Sequence, residues 1–353
     1  MKMRYEDVII RDAEEKDVES LYRWWNDGRV MAHAGFPKGL GISKEKIRTQ
    51  LEKDDEDLRH LMITVLDTPI GECYYRKSGD AFEIGIKICE ESYQEKGIGK
   101  TVLSLLCREV FKRTEKICLS TDKKNSRARH VYEQLGFQLQ EIKEKYYQND
   151  QMEEAMDVAF YELKREDFRS FVKDFFLVKP DLYYADSIRR YRKEYIEKGM
   201  HPDGSGNLLR FEDPEKWIAD NHLFEDESML TLPMKPSYQY AYVETSSQEI
   251  VGLIQVRPDM SDSPFLAEYG GNIGYSVLPS RWREGIGERM LKDFLVICQR
   301  DYHLEEVLIT CLEKNEGSRR IILKNGGVFQ RNTWLFSEDQ NIERYIIDLR
   351  EKL

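Results

Sequence analysis

The sequence predicts an α/β chain in which one fold occurs twice, and three observations predict it. Short apolar runs of strand length alternate with stretches whose apolar residues recur at helical spacing. Two glycine loops, Gln94-Glu95-Lys96-Gly97-Ile98-Gly99-Lys100 and Trp282-Arg283-Glu284-Gly285-Ile286-Gly287-Glu288, each follow an apolar run and open a helical pattern. The intervals around them agree: Gly85 to Gly97 spans 12 positions and Gly274 to Gly285 spans 11; Gly97 to Asn125 spans 28 and Gly285 to Asn315 spans 30; Asn125 to Gly136 and Asn315 to Gly326 both span 11.

In the first copy residues 8–11 read as a strand and 13–25 as a helix, with Asp12 offering a cap and Leu21, Trp24 and Trp25 near one face. Because neighbouring helix positions diverge by about 100°, one of the two tryptophans is expected in the core and the other is free to line a cleft. Residues 43–51 suggest a second helix, since Ile47 and Leu51 recur at helical spacing. Three strands follow at 60–66, 70–75 and 82–89. After the first glycine loop, Val102, Leu105, Leu106 and Val110 mark a helix, then come a strand at 117–120, a helix at 126–135 and closing strands at 141–147 and 156–163. The second copy repeats this order, with 307–311 answering 117–121. The domains are therefore expected at 1–168 and 169–353, joined through 164–174, whose phenylalanines predict a short packed helix rather than a tether. Extra length in the second copy includes His201-Pro202-Asp203-Gly204-Ser205-Gly206, a loop of the kind that forms substrate walls.

Composition narrows the function. A chain of 353 residues with 41% hydrophobic residues can bury two cores, and a formal charge of −11 argues against a general nucleic-acid binder. Six cysteines without a C-x-x-C pair read as reduced core thiols, and six dispersed histidines support no metal. Met1 is followed by charged residues and no stretch reaches the roughly 18 apolar residues of a membrane span, so the expected location is cytoplasmic, with no membrane partner. A glycine loop between a strand and a helix start brings bare N–H groups and a helix dipole to an anion. Gly99-Lys100-Thr101 ends like a nucleotide-binding P-loop, but Gln94 stands where that motif needs glycine, and no magnesium-binding aspartate strand completes it.

The order strand, Gln94-x-x-Gly97-x-Gly99, helix, strand, Asn125, then Tyr132 seven residues on and Gly136-Phe137 after it, resembles the GCN5-related N-acetyltransferases (GNAT). The likeness covers nearly the whole chain as two copies. Leu21-Tyr22-Arg23-Trp24-Trp25-Asn26-Asp27 is similar to the branch that holds aminoglycoside 6'-acetyltransferases and ribosomal-protein N-terminal acetyltransferases. The resemblance implies two tandem folds, each a mixed, mostly antiparallel sheet flanked by helices with a splayed acyl-CoA site. It implies that the acetyl-CoA pyrophosphate sits on Gln94, Lys96, Gly97, Ile98, Gly99 and Lys100. The strand around Ile86 and Ile88 would offer backbone to the pantetheine, with Asn125 bonding the arm. In the second copy Val277, Arg283, Gly285, Gly287 and Asn315 would hold the cofactor.

Transfer requires a neutral amine to attack the thioester, a stabilised oxyanion and a proton for the thiolate. The resemblance makes Tyr132 the acid. Glu83 is the first choice of base, since strand alternation sets it opposite Phe82, Ile84 and Ile86; Glu72, Asp122 and a water chain are the alternatives. The second copy departs: Trp282 replaces Gln94 and Ile322 replaces Tyr132, leaving Tyr275 or water to protonate a thiolate there. The expected function is an acetyl-CoA-dependent N-acetyltransferase acting on a primary amine, either a cationic small molecule such as an aminoglycoside or polyamine, or a peptide amino terminus. The alternative is an acyl-CoA sensor without turnover.

Overall fold

Two strands open the chain where the sequence predicts one. In the computed structural model, which describes residues 1–231, 234–261, 263–336 and 339–350, β1 (Lys2–Tyr5) pairs antiparallel with β2 (Val8–Asp12). The predicted helix at 13–25 is divided. A 3-10 turn, Glu15–Asp17, precedes α1 (Val18–Trp25), because the Asp17 carboxylate takes a fork from Arg11 (2.6 and 2.8 Å) and the Glu14 N–H (2.9 Å). Asp12 ends β2 and pairs with Arg59 at 3.1 Å instead of capping a helix. α2 (Gly28–Met31) and α3 (Lys44–Leu51) follow, and α3 starts where Ser43 Oγ accepts from the Lys46 N–H.

The strands β3 (Leu58–Val65), β4 (Thr68–Ser78) and β5 (Ala81–Ile88) run antiparallel; after α4 (Ile98–Val110) come β6 (Lys116–Asp122), α5 (Ser126–Leu135), β7 (Gln138–Tyr147) and β8 (Met156–Lys164). They form one eight-stranded sheet in the order β1-β2-β3-β4-β5-β6-β8-β7, antiparallel except between β5 and β6. Strand alternation divides the core into two layers. Leu61, Ile63, Ile84, Ile117 and Leu119 pack with Val102, Leu105, Leu106 and Val110 of α4, while Met62 and Cys89 meet Leu21, Trp24, Trp25 and Ile47 on the other face. Each fully buried aliphatic side chain contributes roughly 2 kcal/mol to holding the layers together. Both tryptophans are buried, because their indole N–H groups find carboxylates: Trp24 on Glu90 and Trp25 on Glu72, each at 2.8 Å. After β8 the chain makes a single 3-10 turn, Arg165–Asp167, and Phe168 packs on Phe111 with ring centroids 5.5 Å apart.

The chain divides into two compact units, Met1–Lys173 and Asp174–Leu353. The second holds β9 (Phe175–Val178), α6 (Ala185–Glu197), α7 (Pro214–Glu225), β10 (Tyr238–Glu244), β11 (Glu249–Val256), β12 (Ile273–Val277), α8 (Ile286–Tyr302), β13 (Glu306–Leu312), α9 (Glu316–Lys324), β14 (Val328–Leu335) and β15 (Gln340–Asp348). Its strands form two sheets, β12-β11-β10-β9 and β13-β15-β14. The counterpart of the β5–β6 pairing is thus lost. Asn272, just ahead of β12, links to β13: its N–H donates to the Leu308 carbonyl and its Oδ1 accepts from the Leu308 N–H, both at 2.8 Å.

Candidate active site

The first site begins as a fork. β5 and β6 pair only at Phe82 with Ile117 and Glu83 with Cys118; beyond that the strands part. Their outer edges stay paired, β5 with β4 as far as Ile88 and β6 with β8 as far as Asp122. The facing edges, including Ile86 and Ile88, therefore present backbone groups without a strand partner, a surface an extended amide chain can join. From Glu83 to Ile88 the edge runs about 16 Å at 3.3 Å per residue.

At the open end of the fork lies the glycine loop. Gln94 Nε2 donates to the carbonyl of Ile88 at 3.0 Å, fixing the loop to the last residue of β5. Glu95 and Gly97 take left-handed φ values of 63° and 78°, so Gly97 is the residue type this turn asks for. The N–H groups of Glu95, Lys96, Gly97, Ile98 and Gly99 meet no acceptor among the described residues, whereas Lys100 and Thr101 already donate to the Gly97 carbonyl. A Cβ on Gly99 would meet nothing within 4 Å. Lys96 and Lys100 rest on the rings of Tyr93 and Phe171 (5.4 and 4.8 Å) and bring positive charge beside these donors. This set fits a pyrophosphate.

Tyr132 stands on α5, buried against Tyr161 and Phe137 with ring centroids 5.9 Å apart in each case. Burial, and then Tyr161, push its hydroxyl up to about 12. No described residue hydrogen-bonds that hydroxyl, which stays protonated near neutrality and free to donate. Asn125 turns out to be the N-cap of α5: its Oδ1 accepts from the Ala128 N–H at 3.2 Å and its Nδ2 reaches Thr121 Oγ1 at 3.4 Å.

Glu83 occupies the last rung before the strands separate. Its carboxylate is held from one side by Arg76 (3.0 and 2.8 Å to Oε2) and from the other by the Tyr74 hydroxyl (3.0 Å to Oε1). Burial and the Glu83 charge push Tyr74 above the ordinary phenol range, and its ring lies where a Cβ of Gly85 would fall. Glu72 is buried and holds Trp25 and Lys87, each at 2.8 Å, while Asp122 closes a turn on the Lys124 N–H. A broader depression of 490 Å³ lies by the turn at 79–80, the far end of β5 from the glycine loop.

The second loop repeats this backbone closely. Arg283 and Gly285 take φ values of 70° and 75°, and Trp282 Nε1 donates to the Val277 carbonyl at 2.7 Å, as Gln94 does to Ile88. What surrounds the loop is different. Tyr275, at the position of Ile86, reaches across to α9 with its hydroxyl 2.8 Å from Ser318 Oγ. Ile321 lies 2.6 Å from where a Cβ of Gly287 would sit, so Gly287 is buried where Gly99 is not. Glu284 and Glu288 stand where Lys96 and Lys100 stood, paired with Arg281 (2.8 Å) and Lys324 (2.7 Å). Asn272 holds the position of Glu83, Ile322 that of Tyr132, and Asn315 caps α9 on the Ser318 N–H. Counting from the paired glycines would have shown the Asn272 and charge replacements; the Trp282 bond and the Tyr275 bridge required coordinates.

The family profile described as Acetyltransferase (GNAT) domain matches residues 7–138 and again 189–328. The chain belongs to this family as a tandem pair; it is an N-acetyltransferase, and acetyl-CoA is its co-substrate. Similar solved structures include a GNAT-family acetyltransferase from Bacillus anthracis (21% identity, TM-score 0.41, covering 47% of this chain and 99% of that one). Spermidine N-acetyltransferase from Vibrio cholerae, in complex with CoA and spermine, matches at 20% identity and TM-score 0.41 over 46% of this chain and 97% of its own. RimL, a ribosomal L7/L12 alpha-N-protein acetyltransferase in complex with coenzyme A, matches at 17% identity and TM-score 0.42 over 46% and 98%. No curated protein matches the chain in sequence. Among the described residues no helix is long and apolar enough to cross a membrane, and no cluster of metal-ligating side chains occurs.

Proposed function

We propose that the first unit carries the acetyl transfer, from acetyl-CoA to a primary amine, and that the second unit does no chemistry. The observation that carries this is the Tyr132 hydroxyl, buried against Tyr161 with no hydrogen-bond partner among the described residues, set against Ile322 in the second copy. The N–H groups of residues 95–99 take the pyrophosphate, with Gln94, Lys96 and Lys100 shaping and charging the loop; the edge at Ile86 and Ile88 lines up the pantetheine amides, and Asn125 fixes the start of α5. Glu83, at the closed end of the fork, accepts the amine proton on Oε1, where Tyr74 alone donates among the described residues. That proton leaves as the neutral amine nitrogen bonds to the thioester carbonyl carbon; the carbon–sulfur bond breaks, Tyr132 gives its proton to the departing sulfur, and solvent carries a proton from Glu83 back to Tyr132.

In the second unit Val277, Arg283, Gly285, Gly287 and Asn315 serve architecture. Tyr275 and Ile321 fill the groove, and Glu284 and Glu288 oppose phosphate charge. Free cysteines throughout support a reducing compartment, the cytoplasm. The acceptor is an amine carried by a polyamine, an aminoglycoside or a peptide terminus. A thiol-release assay with spermidine, kanamycin and a short peptide tests the assignment: release with one of them, abolished by Tyr132→Phe, is expected. Full activity in Tyr132→Phe would overturn it, and thiol release that persists in Tyr132→Phe but is lost when Tyr275→Phe is added would overturn the silent second unit.

A further inference from the structure

The second unit contains a walled cavity of 320 Å³ that the acetyl transfer does not use. Its walls are loop 201–207, Asn221 on α7, Ser237 ahead of β10, and Gln255 and Arg257 around the end of β11. The loop is the insertion that distinguishes this copy, and it is firmly fixed. Trp217 Nε1 donates to the carbonyls of Ser205 (2.9 Å) and Gly206 (3.1 Å), and Gln239 Nε2 to that of Gly204 (3.0 Å). Gly204 and Gly206 have φ of 62° and 56°; a Cβ on the first would lie 1.9 Å from the Gly274 carbonyl oxygen, and one on the second 2.1 Å from Asn221 Oδ1. The wall is thus built before any ligand arrives.

Arg257 decides what the cavity holds. Its guanidinium is largely withdrawn from water, and burial works against its charge. It makes no ion pair with a described residue; its side-chain bond is from Nη2 to Gln255 Oε1 at 2.8 Å. Gln255 Nε2 in turn donates to Ser237 Oγ at 3.1 Å. These bonds fix the guanidinium through Gln255 and leave the rest of the Arg257 fork and the Ser237 hydroxyl as donors on the cavity wall. The Asp203 carboxylate, on the loop, acts on Arg257 through its field and repels any second negative charge.

We infer that this cavity binds the carboxylate of a small molecule of amino-acid size, held by the Arg257 fork and the Ser237 hydroxyl. Its volume lies at the small end of ligand sites, and a singly charged carboxylate suits one guanidinium beside one aspartate better than phosphate does. The inference is independent of the catalytic assignment to the first unit.

The test is ligand-observed NMR on the full chain, saturated with CoA, using acetate, glycine, L-alanine, L-glutamate, glycinamide and inorganic phosphate as probes. At least one carboxylate is expected to bind, with glycinamide and phosphate at least about tenfold weaker, and with a comparable loss in Arg257→Gln and a smaller one in Arg257→Lys. Absence of carboxylate binding up to about 10 mM, where even weak complexes register, would overturn the inference. So would equal binding of an acid and its amide, phosphate binding as well as carboxylate, or undiminished binding in a folded Arg257→Gln protein. The acid-against-amide comparison needs no variant and decides the matter even if Arg257→Gln does not fold.

Discussion

Residues 94–100 and 282–288 follow nearly the same backbone path, with left-handed residues at 95 and 97 in one and at 283 and 285 in the other. Each is tied by a side-chain N–H to the last carbonyl of the preceding strand. One loop faces an open fork, free N–H groups and two lysines; the other faces a tyrosine–serine bridge, an isoleucine and two glutamates already paired. The loop conformation is therefore a property of the fold, and the phosphate binding we propose for the first loop is a property of what surrounds it.

The comparison is broken most severely at Tyr132. Tyr132→Phe should lower kcat by about 100-fold or more, as loss of a general acid does, while the KM for acetyl-CoA changes little. Gly99→Val places side-chain carbons in the open groove, and steady-state kinetics should show the acetyl-CoA KM rising about tenfold with kcat less affected. The converse experiment opens the closed groove. Tyr275→Ala with Ile321→Ala, Glu284→Lys and Glu288→Lys should raise CoA stoichiometry by calorimetry from one to two per chain, against one for the unaltered protein.

A pH effect sharpens the contrast at the acid. The Tyr132 hydroxyl is raised by burial to about 12 from an unfolded value near 10. Because the folded state holds this proton more tightly, the corresponding stability is fully present below about pH 10 and is lost as pH rises towards 12. Urea midpoints at about pH 9 and pH 11 should therefore converge for Tyr132→Phe relative to the parent. The smallest effect is expected at the loop anchors, where Gln94→Leu and Trp282→Phe each remove one hydrogen bond and should cost about 1 kcal/mol by denaturant unfolding.

Much of the fold was legible because periodicity and capping act locally. The helices expected at 43–51 and 126–135 form at Lys44–Leu51 and Ser126–Leu135, and the paired intervals identify the duplication. The exchange of Tyr132 for Ile322 was legible for the same reason, since it needs only a count from the asparagine. The rest depended on partners distant in sequence. Trp24 and Trp25 are both buried because Glu90 and Glu72, more than sixty and forty positions away, arrive to accept their N–H groups. The Tyr275 bridge to Ser318 spans 43 positions, and the cavity around Arg257 assembles from four separated segments. β1 escaped notice because Lys2–Tyr5 alternates too briefly to register, yet it finds a complete partner in β2.

The hydrogen bond from Trp282 to the Val277 carbonyl bears on how such chains are recognised. An amide and an indole share almost nothing as letters, so a consensus written as Gln-x-x-Gly-x-Gly scores the second loop as a failure. As donors they are interchangeable: each extends one N–H to the same strand-end oxygen. A duplicated copy released from chemistry can drift in spelling while its geometry is held, and its ancestry then survives in the bond rather than in the alphabet.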